Sequence, residues 1–150
     1  MEVNQVIQLC MFHNLDFLFF GMRLSQGVDE PQFAIDLSSL AQHFKDSVSK
    51  ALQEITICIG VQNYADWNDA LLPLSSCQGW ATLDEALWNR SPALGKVHIW
   101  IDVNDADHPV TCKPLDFLMR LHLPRLAERG ILSTGFGTFQ EVRNDAWLRA

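Results

Sequence analysis

The residues best equipped for chemistry are the run Asp102-Val103-Asn104-Asp105-Ala106-Asp107-His108. Carboxylates, an amide and an imidazole this close together could ligate a divalent cation. An EF-hand loop, however, needs oxygen donors at alternate positions and a glycine at the sixth. Ala106 takes the third alternate position and Asp107 the glycine position, so the pattern fails. Exposed carboxylate clusters are ordinarily solvated, and no metal site is expected here. The histidines are His13, His43, His98, His108 and His122, and no H-x-x-x-H or H-E-x-x-H occurs among them. Such spacing would be needed to set two imidazoles over a zinc ion on one helix face.

His98 and Asp102 are four apart and share a face if their segment is a strand. An imidazole and a carboxylate could then move a proton on a substrate lying across the sheet. With His108 they would line a pocket between the sheet and the insert at about 62–95 in a small-molecule sensor or enzyme, which is the alternative functional reading. A partly buried, hydrogen-bonded structural histidine is the commoner outcome for such a residue. A nucleophile needs an activating base, yet neither Ser38-Ser39 nor Ser75-Ser76-Cys77 sits in G-x-S-x-G. Gly135-Phe136-Gly137 lacks the third glycine and the following helix of a dinucleotide fingerprint. No catalytic residue and no cofactor is expected, and the chain reads as a binding protein rather than an enzyme.

Charge and aromatic residues carry the binding reading. Residues 51–112 have a formal balance of −6, against −3 for 1–50 and +2 for 113–150, within a chain of −7. Tyr64, Trp67, Trp80 and Trp88 are interleaved with these acids. Trp and Tyr bury large area at small entropic cost and are enriched at binding hot spots. Surrounding carboxylates steer a basic partner and raise its on-rate. The expected contact residues are Tyr64, Asp66, Trp67, Asp69, Asp84, Glu85, Trp88, Asp102, Asp105 and Asp107. The expected function is occlusion of a basic protein partner, most concretely by an inhibitor or immunity protein that neutralises a toxin or nuclease-like effector. Nucleic acid is disfavoured, because phosphate contacts need a basic surface. A further reading is a structural subunit that pairs through a sheet edge or through the 115–126 helix.

The elements that must position these residues follow from periodicity. At 150 residues the chain is expected to be one globular domain, 1–150. The apolar content of 48% excludes a disordered chain. Cys10, Cys58, Cys77 and Cys112 show no C-x-x-C spacing, so free, buried thiols and a reducing, cytoplasmic setting are expected. The apolar stretch 6–24 is interrupted by His13, Asn14, Asp16 and Arg23, which argues against a membrane span. A basic leader is not seen at Met1-Glu2-Val3-Asn4.

Residues 17–24 read as a strand, and 3–12 as a strand or helix. A helix is expected from a cap at Asp36 or Ser38, with Leu37, Leu40, Ala41, Phe44, Val48, Ala51, Leu52 and Ile55 as its apolar stripe. Strands follow at 56–61 and 97–103, separated by an irregular insert at about 62–95 that Pro73, Gly79, Pro92 and Gly95 punctuate. Within that insert a short helix, capped by Thr82 with Glu85 three residues on, spans 82–89. Pro114 opens a last helix whose stripe is Leu115, Leu118, Leu121 or His122, Leu126 and Ala127. Pro124 breaks it near Leu121, and Gly130 caps it. A final strand runs over 131–142 with a glycine bulge. The implied fold is α+β, a ferredoxin-like split βαβ antiparallel sheet with two helices on one face and the irregular insert.

Overall fold

The computed structural model describes residues 17–25, 30–46, 52–62, 67–90, 93–102 and 113–137. Its strands are β1 (Phe17–Ser25), β2 (Glu54–Gln62), β3 (Lys96–Asp102) and β4 (Leu132–Gly137). Helix α1 (Glu30–Asp46) joins β1 to β2. A 3-10 turn (Trp67–Ala70), α2 (Leu71–Ser76) and α3 (Gly79–Arg90) join β2 to β3. Helices α4 (Lys113–His122) and α5 (Pro124–Glu128) lie between β3 and β4.

The sheet order is β1-β2-β3-β4 and all three pairings are parallel. The fold is therefore α/β, and the expected antiparallel ferredoxin-like sheet is wrong. The cause lies in residues 62–95. Parallel neighbours need a crossover, usually helical, whereas a split βαβ joins its middle strands by a short antiparallel link. Pro73 and Gly79 look locally like loop punctuation, but each stands in the first turn of a helix. Proline is tolerated there because its missing N–H belongs to a group with no helical acceptor anyway. Gly79 is required by packing: a Cβ would lie 3.0 Å from both the Leu37 Cγ and the Ser38 backbone nitrogen. The crossover is sealed by Trp80, which is fully buried and donates its indole N–H to the Leu74 carbonyl at 2.8 Å.

Other boundaries shift for similar reasons. Helix α1 starts at Glu30, with Pro31 in its first turn, so neither Asp36 nor Ser38 caps it. Its buried stripe is Phe33, Leu37, Leu40, Ala41 and Phe44, at spacings of four, three, one and three. Leu52 and Ile55 are equally buried, but Leu52 lies just before β2 and Ile55 within it. Helix α3 begins three residues before Thr82, so the expected capping box does not start it. The break before Pro124 and the Gly130 cap are present. Gly130 has φ +79, its N–H donates to the Ala127 carbonyl at 3.0 Å, and the Ile131 N–H donates to the Leu126 carbonyl at 3.3 Å. This pair of bonds is a Schellman closure, which favours glycine at the left-handed position.

Strands β1 and β3 largely alternate in burial, whereas β2 is buried on both faces from Ile55 to Ile59. Leu18, Phe20 and Leu24 of β1, Ile55, Ile57, Ile59 and Val61 of β2, and Val97, Ile99 and Ile101 of β3 form one core with the helices. Helix α1 packs on α3, and α3 packs on α4 and α5, in a single layer. Cys58 and Cys77 are free and buried, as expected. Cys10 and Cys112, the segment 3–12 and the end of the expected last strand lie outside the described residues.

Candidate functional site

The ten expected contact residues separate into groups that the fold does not bring together. Tyr64, Asp66, Asp105 and Asp107 lie outside the described residues. Trp67 opens the 3-10 turn, and Asp69 in that turn is exposed. Glu85 and Trp88 are both exposed and stand three residues apart on the outer face of α3. Trp88 is 41% exposed, and the Arg129 guanidinium sits 5.5 Å from its ring centroid. The indole face thus already attracts a cation of its own chain, a contact whose basis is the ring quadrupole.

Asp84 does something else. It is buried, and its two carboxylate oxygens accept the backbone N–H groups of Arg125 and Leu126, each at 3.1 Å. These are orphan donors at the start of α5, where Leu123 provides no side-chain cap. A residue of α3 therefore caps a helix some forty residues away in sequence. Burial pushes its carboxyl above the ordinary value, while the two N–H donors and Arg125 pull it back. Asp84 is committed to the fold, and no partner can use it without unpairing α5. Adjacent residues Asp84 and Glu85 face different ways because α3 turns by about 100° per residue.

The sheet face away from the helices carries the second group. Across the strands, Phe19, Thr56, His98 and Ser133 form one row, and Gly21, Cys58, Trp100 and Gly135 the next. Arg23, Gly60, Asp102 and Gly137 form the row nearest the carboxyl ends. His98 Nδ1 and the Ser133 hydroxyl share a hydrogen bond. The His98 ring also lies 5.0 Å from the Trp100 ring at a tilt of 40°. Trp100 leans over β4, where a Cβ on Gly135 would come within 3.0 Å of the indole. The expected glycine bulge or bend falls on the segment holding Gly135 and Gly137; here Gly135 makes room for a side chain. The Trp100 indole nitrogen is buried without a hydrogen-bond partner among the described residues.

Asp102 is buried at the end of β3. It cannot act on His98: four residues of strand separate their Cα atoms by about 13 Å. The partner of His98 is Ser133, which the sequence does not suggest, because the register that pairs them is set by a crossover. Beside Asp102, Cys58 has its thiol pushed up to about 12, chiefly by burial and secondarily by the Asp102 charge. A thiol so raised is not a nucleophile at neutral pH. Among the described residues, no group of three or more His, Cys, Asp or Glu is arranged to hold a metal ion, and no helix is long and apolar enough to cross a membrane.

Besides Trp88, four large apolar residues are exposed among the described residues: Ile35 on α1, Leu72 on α2, and Phe117 and Leu121 on α4. Leu72 is 75%, Phe117 67% and Leu121 62% exposed. Leu121 is expected on the inner stripe of its helix. The stripe actually buried is Leu115 and Met119, and counting about 100° per residue from those two puts Phe117 and Leu121 on the opposite side. The chain matches no protein-family model, no curated protein and no solved structure.

Proposed function

We propose that this chain is a small binding protein, cytoplasmic and without catalytic activity, that occludes a basic protein partner. The concrete form is an inhibitor or immunity protein that neutralises a toxin or nuclease-like effector. The observation that carries the reading is the exposed Trp88, with Glu85 beside it on the outer face of α3. An aromatic anchor flanked by carboxylate is the pairing that hot spots and charge steering call for. Asp69, on the turn that begins the same crossover, is exposed as well. Asp84 and Asp102 play no part in it, since both are buried.

The test is recovery of a partner at low salt from the source cells, followed by titration with purified chain. A basic protein that binds with an on-rate falling as salt rises supports the reading. Recovery of no basic protein, or binding insensitive to Glu85→Lys and Trp88→Ala, overturns it.

A second reading is favoured by one observation, the His98–Ser133 hydrogen bond beside the unpartnered indole nitrogen of Trp100. A small polar ligand that reached these groups would find one donor or acceptor pair and an aromatic wall, with the buried indole N–H open to it only if Trp100 shifts. A small molecule that co-purifies with the chain and is lost on Trp100→Phe would move the function to this face.

A further inference from the structure

We propose that the outer face of the helical layer is self-complementary and that a second copy of this chain docks on it about a twofold axis. Beyond α1, the layer has two parts of opposite formal charge, residues 67–90 and residues 113–130. Residues 67–90 hold two exposed acids, Asp69 and Glu85, against one cation once the buried Asp84 is set aside, whereas residues 113–130 hold four cations against two acids. Three contacts fix the seam between the halves. Ser75 Oγ and His122 Nε2 lie 3.2 Å apart, Asp84 caps α5, and Arg129 stacks on Trp88.

Each half also exposes large apolar side chains. Leu72 and Trp88 lie on the acidic half, and Phe117 and Leu121 lie one turn apart on the basic half. Leu72 is one turn before Ser75 and Leu121 is adjacent to His122, so both flank the same junction. Isolated exposed hydrophobics need no explanation, but grouped ones mark contact surfaces. A twofold axis gives an isologous contact, in which the same patch meets itself in reverse. With the axis at the seam, the acidic half of one copy covers the basic half of the other, and the reverse holds across the axis. Apolar side chains then meet apolar side chains at the centre. Stacking either half on its own image would instead set like charges face to face. A second copy thus satisfies both halves at once, which a uniformly basic or uniformly acidic partner does not.

This contact is distinct from binding to a foreign partner and sets a condition on it. Glu85 and Trp88 would be covered in the dimer, so self-association and capture of a basic protein compete.

Sedimentation equilibrium of the full chain across the micromolar range, at low and at high ionic strength, tests the proposal. A monomer–dimer equilibrium that weakens with salt is expected. Leu121→Asp, and independently Leu72→Asp, should weaken it about tenfold or more, the effect of a charge placed at a buried contact. Both sites are exposed in the monomer, and a thermal melt by circular dichroism checks that each variant folds. Glu85→Lys and Arg120→Glu should each weaken the dimer, and the double variant should regain part of the loss. A chain that stays monomeric at low salt overturns the proposal. So does a dimer indifferent to both aspartate variants, or a double charge swap no better than either single one.

Discussion

At the scale of single residues, the acids of the crossover show why composition and role diverge. Asp84 and Glu85 are neighbours in sequence, yet one holds α5 in place and the other faces solvent. Replacing Asp84 by Ala would leave the N–H groups of Arg125 and Leu126 buried without acceptors, a loss of about 1–3 kcal/mol. Asp84→Asn keeps one acceptor and turns an amide N–H₂ toward the other donor, so the expected loss is smaller but still measurable by urea denaturation. The pH dependence has a definite sign. The folded-state pKa of Asp84 is raised, so the folded chain binds this proton more tightly than the unfolded chain. Its contribution is fullest below the ordinary carboxylate value and is lost as pH rises through the raised one. The Asn variant should therefore lack that falling component when denaturant midpoints are compared from about pH 3 to about pH 6.

Cys58 gives a second residue-scale prediction. With its thiol pushed up to about 12, it stays protonated and buried at neutral pH. Iodoacetamide should leave the Cys58 peptide unmodified in the native chain and label it fully after denaturation, as read by peptide mass spectrometry. Labelling of Cys58 in the native state at the unfolded rate would mean that this sheet face opens readily. Stability from this group is complete below the ordinary thiol pKa and falls only as pH rises toward about 12.

At the scale of elements, local patterns are legible in the sequence and connections are not. The strands at 17–24, 56–61 and 97–103 can be read, the last from its period-two alternation and the first two as short apolar runs rich in aromatic or β-branched residues. The break before Pro124 and the turn at Gly130 can be read because one lacks an N–H and the other must take φ +79. The crossover over 62–95 cannot. Its Pro73 and Gly79 resemble loop residues until the position within a helix is known. The reason for Gly79 lies on another element, at Leu37 and Ser38. Parallel pairing is hidden with it, since strand direction depends on what joins the strands. Of the candidate site, Trp88 and Glu85 can be named from composition but their exposure cannot, and Ser133 beside His98 is hidden altogether, because no local pattern encodes a contact between strands so far apart in sequence.

Gly79→Ala tests this directly. The added methyl would lie 3.0 Å from the backbone of α1, so the two helices must move apart, with a loss of about 1–3 kcal/mol. Gly130→Ala has open space around it, since a Cβ at that position would meet nothing within 4 Å. Its loss should come from backbone strain alone, about 1–2 kcal/mol. Thermal melts separate the cases when combined with Leu37→Ala: the smaller side chain should recover part of the Gly79→Ala loss and none of the Gly130→Ala loss.

At the scale of the whole molecule, the strand order matters most for function. Open parallel sheets bind ligands where the strand order reverses and neighbouring loops diverge. Among the described strands the order never reverses, so they build no such crevice. Two surfaces of the described residues carry the candidate groups, the outer face of the helices and the opposite face of the sheet. The two tryptophans of α3 separate packing from recognition on the first of these. Trp80 is fully buried and bonded to Leu74, so Trp80→Ala should cost about 3–5 kcal/mol and weaken binding only by unfolding the chain. Trp88 is exposed, and its stack with Arg129 is worth about 0.5–1 kcal/mol at an exposed site. Trp88→Ala should leave the melting midpoint within a few degrees of the parent while lowering affinity for the proposed basic partner about tenfold or more. The Arg129 stack sharpens the expectation. A partner cation must displace that guanidinium or use the other ring face, so Arg129→Ala should leave binding unchanged or tighter. Weaker binding in Arg129→Ala, measured by titration at low salt, would mean that the stack organises the surface and that the partner's anchor lies elsewhere.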